Sequence, residues 1–164
     1  MGNCFVEFYH NKIKQSWKTA FFSGVIIALL VHMFKFTNVL PVSDSMYNLY
    51  NSQNMVASGR WFLSAACWLT SYFDLPWLNG LVSVFFMGLT AAVIAEVFEM
   101  KNPCLIAISS GLLVTFPAIF ATLSYSFTAD GYMIAMFLAA LSVCLTKLAH
   151  NTSRGWGFRL LLGG

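Results

Sequence analysis

Charge is what this chain has least of. Asp, Glu, Lys and Arg make up 9% of its 164 residues, against about 25% in a typical soluble protein. Between Lys101 and Lys147 there is one charged residue, Asp130. The net charge of +3 is small and unpatterned for nucleic acid, so no nucleic-acid partner is expected. The four cysteines (Cys4, Cys67, Cys104 and Cys144) contain no CxxC pair. Their spacing argues against a metal knuckle or a disulfide framework and for small buried side chains. There is no Gly-rich phosphate loop, no His/Glu metal spacing and no internal repeat.

What the chain has instead is long apolar runs. Mean hydropathy is +0.72, and stretches of about 20 apolar residues, enough to cross a bilayer, recur along it. The expected fold class is therefore all-α: a polytopic helical membrane protein forming a single membrane domain over 1–164. Residues 19–36 read as the first span, an uncleaved signal-anchor since no Ala-x-Ala site follows. The second span is expected at 77–98, the third at 104–122 and the fourth at 131–148, with an apolar run from Gly157 as the start of a fifth. Pro117 lacks an N–H and is expected to kink the third span.

Lys12, Lys14 and Lys18 precede the first span, and Lys147, Arg154 and Arg159 follow the fourth. Cytoplasmic segments are enriched in Lys and Arg, which makes 1–18 a cytoplasmic tail and 37–76 the first outer loop. Seven of the nine Lys and Arg then lie inside, with Lys35 and Arg60 as the exceptions. Within the outer loop, Ser43 or Asp44 can cap a short helix through Tyr50. A second short helix, Arg60 to Phe73, carries Trp61, Trp68 and Tyr72, aromatic types that favour the headgroup level.

On this topology Asp44, Asp74, Asp130 and Arg60 gather at one membrane face. A carboxylate at mid-bilayer costs roughly 2.5 kcal/mol or more, so Asp130 belongs at a boundary or in a protein-lined cavity. It reads either as the N-cap of the fourth span or as a carboxylate at a cavity mouth that orients a substrate or cation. The two are compatible, because a capping Asp keeps acceptor capacity. Asp44 is a helix cap, a general base toward an acceptor hydroxyl, or a ligand for a divalent cation. Arg60 is an interfacial anchor or a planar fork for a phosphate. Lys35 reads as a simple span terminator, Asp74 as a helix end, Glu96 and Glu99 as solvated ends, and His32 as a packing residue. The sequon at Asn151 falls on the cytoplasmic side and reads as chance.

Ordered motifs then add a resemblance. Residues 17–24 (WKTAFFSG), Asp44 with 48–50 (NLY), 58–62 (SGRWF), 76–80 (PWLNG), 115–117 (TFP) and 127–132 (FTADGY) resemble the N-terminal part of bacterial membrane glucosyltransferases of the GtrII family. The resemblance runs from about residue 16 to the end. It implies a GT-C type enzyme of the bacterial cytoplasmic membrane, N-terminus inside, that moves glucose from a polyprenyl-phosphate-linked donor to a surface glycan such as O-antigen. Asp44 would be the first-loop acid, acting as base or metal ligand, Asp130 the acid of the next outer loop, and Arg60 the donor-phosphate contact. Members of the family continue through further spans, so the chain is expected to be a fragment. The rival expectations are a small transporter, with Asp130 deep in the bundle and paired functionally with His32, and a non-catalytic membrane subunit.

Overall fold

The computed structural model describes residues 14–38, 59, 65, 67 and 75–151. Five helices follow in order: α1 Gln15–Thr37, α2 Pro76–Val97, α3 Pro103–Val114, α4 Pro117–Leu123 and α5 Ser126–Asn151. Among the described residues there is no strand. Three helices are long and apolar enough to cross a membrane, and α3 with α4 makes a fourth span if the bent pair is taken as one. At 1.5 Å per residue the 22 residues of α2 extend about 33 Å, which matches the hydrocarbon thickness. The chain is an all-α, polytopic membrane protein.

The first two spans pack through small residues. On α1 the buried positions are Ala20, Gly24, Ala28, His32 and Phe36, every fourth residue, while Phe22, Ile26, Leu30 and Phe34 on the opposite face are exposed. A Cβ added at Gly24 would lie 3.5 Å from the Ala91 Cβ and 3.6 Å from the Gly88 Cα. A Cβ at Gly88 would run into Val25 at 2.8 Å. In lipid, helices associate by this kind of close approach rather than by a hydrophobic drive. The large exposed side chains face outward because the bilayer is as apolar as they are.

The third span is broken rather than merely kinked. Pro103 opens α3 behind an Asn102 cap whose side chain accepts from the Cys104 N–H at 2.9 Å. Pro117 then opens α4, and the two pieces meet at 48°. The break frees the Val114 carbonyl, which His32 Nε2 meets at 2.9 Å. Since a carbonyl only accepts, His32 carries its proton on Nε2. The ring also sits beside Phe120 and Phe36, at 5.8 and 6.1 Å between centroids. The packing role expected for His32 is the one found, and it is specific, because the ring repairs the backbone that Pro117 opens.

Two sequence expectations need correction. Residues 123–130 are not a loop ahead of a span starting at 131, because α5 begins at Ser126 and the connection shrinks to Ser124-Tyr125. Ser, Thr and Ala between the aromatic residues tolerate helix as readily as loop, and Thr128 N–H bonds the Tyr125 carbonyl at 3.0 Å to start the coil. Glu96 is partly covered rather than a solvated end, and Glu99, exposed as expected, is paired as well. Lys14 and Trp17 both donate to Glu96, the Trp17 bond being 2.8 Å. Lys147 donates to Glu99 at 2.6 Å and to the Val97 carbonyl at 2.8 Å. Glu99 itself adopts a left-handed backbone, φ 51°, in which Met100 N–H bonds back to the Ala95 carbonyl at 2.9 Å and closes the end of α2.

Candidate functional site

The ends of the bundle are set by these contacts. Glu96, Glu99 and Lys147 mark one end. The other carries the C-terminus of α1 and the N-termini of α2 and α5, and is called the Pro76 end. Because α2 and α5 both start there, they run parallel. Their register is fixed at three levels: Asn79 Nδ2 donates to the Ser126 carbonyl at 2.9 Å, Phe86 meets Phe137 at 5.7 Å between centroids, and Lys147 reaches Val97.

Asp130 lies one helical turn beyond Ser126, about 6 Å along the axis. It is 2% exposed. It is therefore not the N-cap of its helix, as the sequence suggested, but an interior residue of the second turn, near the Pro76 end rather than at mid-span. Residues 128–131 are buried without interruption, so the whole turn is covered, on every face, at the level of the carboxylate. Part of that cover comes from outside the spans. Cys67, which belongs to the 37–76 segment, is fully buried; its thiol donates to the Asp130 carboxylate and its sulfur accepts from the Gly131 N–H. Burial, then the negative charge of Asp130, pushes the Cys67 thiol up to about 12. It stays protonated at neutral pH and makes a poor nucleophile. The expectation of small buried cysteines holds for Cys67 and Cys144, whereas Cys104 is exposed.

Asp44, Arg60 and Asp74 lie outside the described residues, as do the two short helices expected in the 37–76 segment and the apolar run from Gly157. Among the described residues no group of three His, Cys, Asp or Glu side chains could hold a metal ion.

Three residues at the Pro76 end escaped the sequence reading. Asn79, on the first turn of α2, is 1% exposed and ties that helix to α5. Ser83, one turn further on, is fully buried. Lys35, read as a span terminator, lines a small cavity with Phe36, Asn79, Gly80, Leu123 and Ser126. The signal for the α2 pair was present. Asn79, Ser83 and Thr90 recur at helical spacing inside an otherwise apolar run, which places polar atoms on one buried face.

The fold thus defines a helical membrane protein with a buried carboxylate near one end of the bundle. A family model described as Glucosyl transferase GtrII matches residues 33–163, and the chain belongs to that glucosyltransferase family. Asp44, Arg60, Asn79 and Asp130 all fall within the matched region. No curated protein and no solved structure matches the chain.

Proposed function

We propose that the chain forms part of a glucosyltransferase active site at the extracytoplasmic face of the bacterial cytoplasmic membrane, using a polyprenyl-phosphate-linked glucose and a surface-glycan acceptor. The Pro76 end would be the outer one. The observation that carries this reading is Asp130: a carboxylate sealed at one end of the bundle and held there by Cys67 of the first loop, inside the region that matches the family. A buried carboxylate in a membrane bundle is a candidate functional residue by default, and the distribution of Lys and Arg along the sequence supports an outward Pro76 end.

In the proposed reaction an acceptor hydroxyl attacks the anomeric carbon of the donor sugar. The new glycosidic bond forms as the bond from that carbon to the phosphate oxygen breaks, and polyprenyl phosphate leaves with the electron pair. Asp44 takes the hydroxyl proton, a role that requires a carboxylate within hydrogen-bond reach. Arg60 holds the departing phosphate through its planar fork. Asp130 orients the donor or acceptor from α5. A lipid-linked donor suits such a site, because its phosphate rests at headgroup level while its tail stays in the bilayer. A divalent cation at Asp44 would fit the preference of hard cations for oxygen, but no step above depends on one.

The direct test is Asp44→Asn in membranes from expressing cells, assayed for glucose transfer from the polyprenyl donor. Loss of a general base is expected to lower the rate by about 10²-fold or more at unchanged expression. Undiminished transfer removes Asp44 from the mechanism.

A further inference from the structure

Asp130 stands where its own helix offers a carboxylate little. An acid at a helix N-cap is met by the free N–H groups of the first turn. Asp130 lies one turn further in, where backbone N–H groups bond to the carbonyls four residues earlier. Two neighbouring donors are spent elsewhere. Asn79 Nδ2 donates to the Ser126 carbonyl at 2.9 Å, and Thr128 Oγ1 donates to the Tyr125 carbonyl at 3.4 Å. A buried charge without hydrogen bonds is costly, which calls for donors from another segment. Cys67 supplies one, its thiol donating to the Asp130 carboxylate.

The thiol is suited to holding the carboxylate still rather than to reacting. Its sulfur accepts from the N–H of Gly131, the residue next to Asp130. The sulfur is thus fixed against the α5 backbone while its proton is aimed at the side chain one residue back. With both roles filled, the thiol cannot turn without breaking a bond. Burial, then the negative charge of Asp130, keeps the thiol protonated at neutral pH, so the donor stays in place. A hydrogen bond onto an ionised group is about twice as strong as one between neutral groups. Here both partners are buried, so water does not compete for it.

We propose that Cys67 is the positioning residue of Asp130 and sets the direction in which the carboxylate meets the reactants. The proposal rests on the reading of Asp130 as a residue of glucosyl transfer. In this role Cys67 forms no bond to a reactant, and its effect reaches the chemistry through the carboxylate alone. A packing role would be served by any side chain of similar volume, whereas a positioning role needs a donor at the sulfur's place. Serine keeps a donor and valine keeps the volume, so the two roles rank these variants in opposite order.

Glucose transfer in membranes from expressing cells and infrared spectroscopy of the chain in bilayers test it together. In Cys67→Ala, kcat is expected to fall about tenfold with KM little changed, because orientation is lost while binding is kept. Cys67→Val is expected to fall as far, and Cys67→Ser to retain most of the rate. A Cys67→Val protein faster than Cys67→Ser overturns the proposal, as does Cys67→Ala at the original rate. The S–H stretch of Cys67, assigned by its loss in Cys67→Ser, gives a readout that needs no turnover. Its frequency is expected to rise in Asp130→Asn, where the acceptor is neutral and the bond weaker. An S–H band indifferent to Asp130→Asn overturns the proposal whatever the transfer rates. If Asp130→Asn shifts the band yet transfers glucose at the original rate, the contact stands and the catalytic reading of Asp130 falls, taking the positioning role with it.

Discussion

At the Glu99 end of the bundle the polar groups are paired and near water: Lys14 and Trp17 on Glu96, Lys147 on Glu99. At the Pro76 end Asn79, Ser83 and Asp130 are sealed between helices, and Asn79 and Ser83 have hydrogen-bonding capacity left over. The Glu99 contacts join the ends of α1, α2 and α5 and are finished once made. Exposed pairs of that kind contribute little to stability. The Pro76 groups carry a desolvation cost, and their fastening is limited to the bond from Asn79 to Ser126 and the contact of Asp130 with Cys67. Polar atoms kept buried at such a cost are where a membrane protein does its chemistry. The contrast is what the proposed function leads one to expect, with anchoring at one end and chemistry at the other.

Substitutions at the Pro76 end are expected to be the more damaging. The largest stability loss should come from Gly80→Leu. Even a single Cβ there would run into the Phe36 ring, and overpacking of this kind costs about 3 kcal/mol, read as a lower thermal midpoint in detergent or bilayers. His32→Leu keeps the volume but leaves the Val114 carbonyl without its donor, a cost of about 1–2 kcal/mol. Hydrogen exchange on the same variant should show weaker protection of the α3–α4 junction. The smallest effect belongs to the Glu99 end. Lys147 donates to the Glu99 carboxylate and holds it below the ordinary value of 4.5. A lowered folded value means that this stabilisation is complete above 4.5 and is lost as the pH falls through the folded value. Lys147→Met is expected to lower melting slightly at pH 7 and by less far below that window, where only the bond to the Val97 carbonyl is lost. An equal effect at both pH values would remove the pair from the contacts that stabilise the fold.

Much of this architecture is legible in the sequence. Apolar length locates α1 and α2 to within a few residues, and Pro117 marks the bend in the third span because a missing N–H cannot be hidden. The start of α5 is not legible, because 123–130 mixes Ser, Thr and aromatic residues, whose local preferences do not separate loop from helix; packing against α2 decides it. That ambiguity makes Asp130 look like a cap when it is an interior residue. Cys67 cannot be found by spacing, since its partner lies 63 positions away in the chain. Asn79 stands within a quoted motif, yet only its recurrence with Ser83 and Thr90 marks it as part of a polar face. Glu96 and Glu99 read as solvated from the sequence because their partners, Lys14 and Lys147, lie on other segments.

The central claim is that the sealed carboxylate near the Pro76 end serves glucosyl transfer. Its most direct measurement is the transfer rate of Asp130→Asn, taken beside its thermal midpoint. Asparagine keeps the shape and an acceptor for Cys67 while removing the charge. The account predicts a rate lower by about 10²-fold or more at a midpoint close to that of the unaltered protein. A folded Asp130→Asn protein that transfers glucose at the original rate would contradict it.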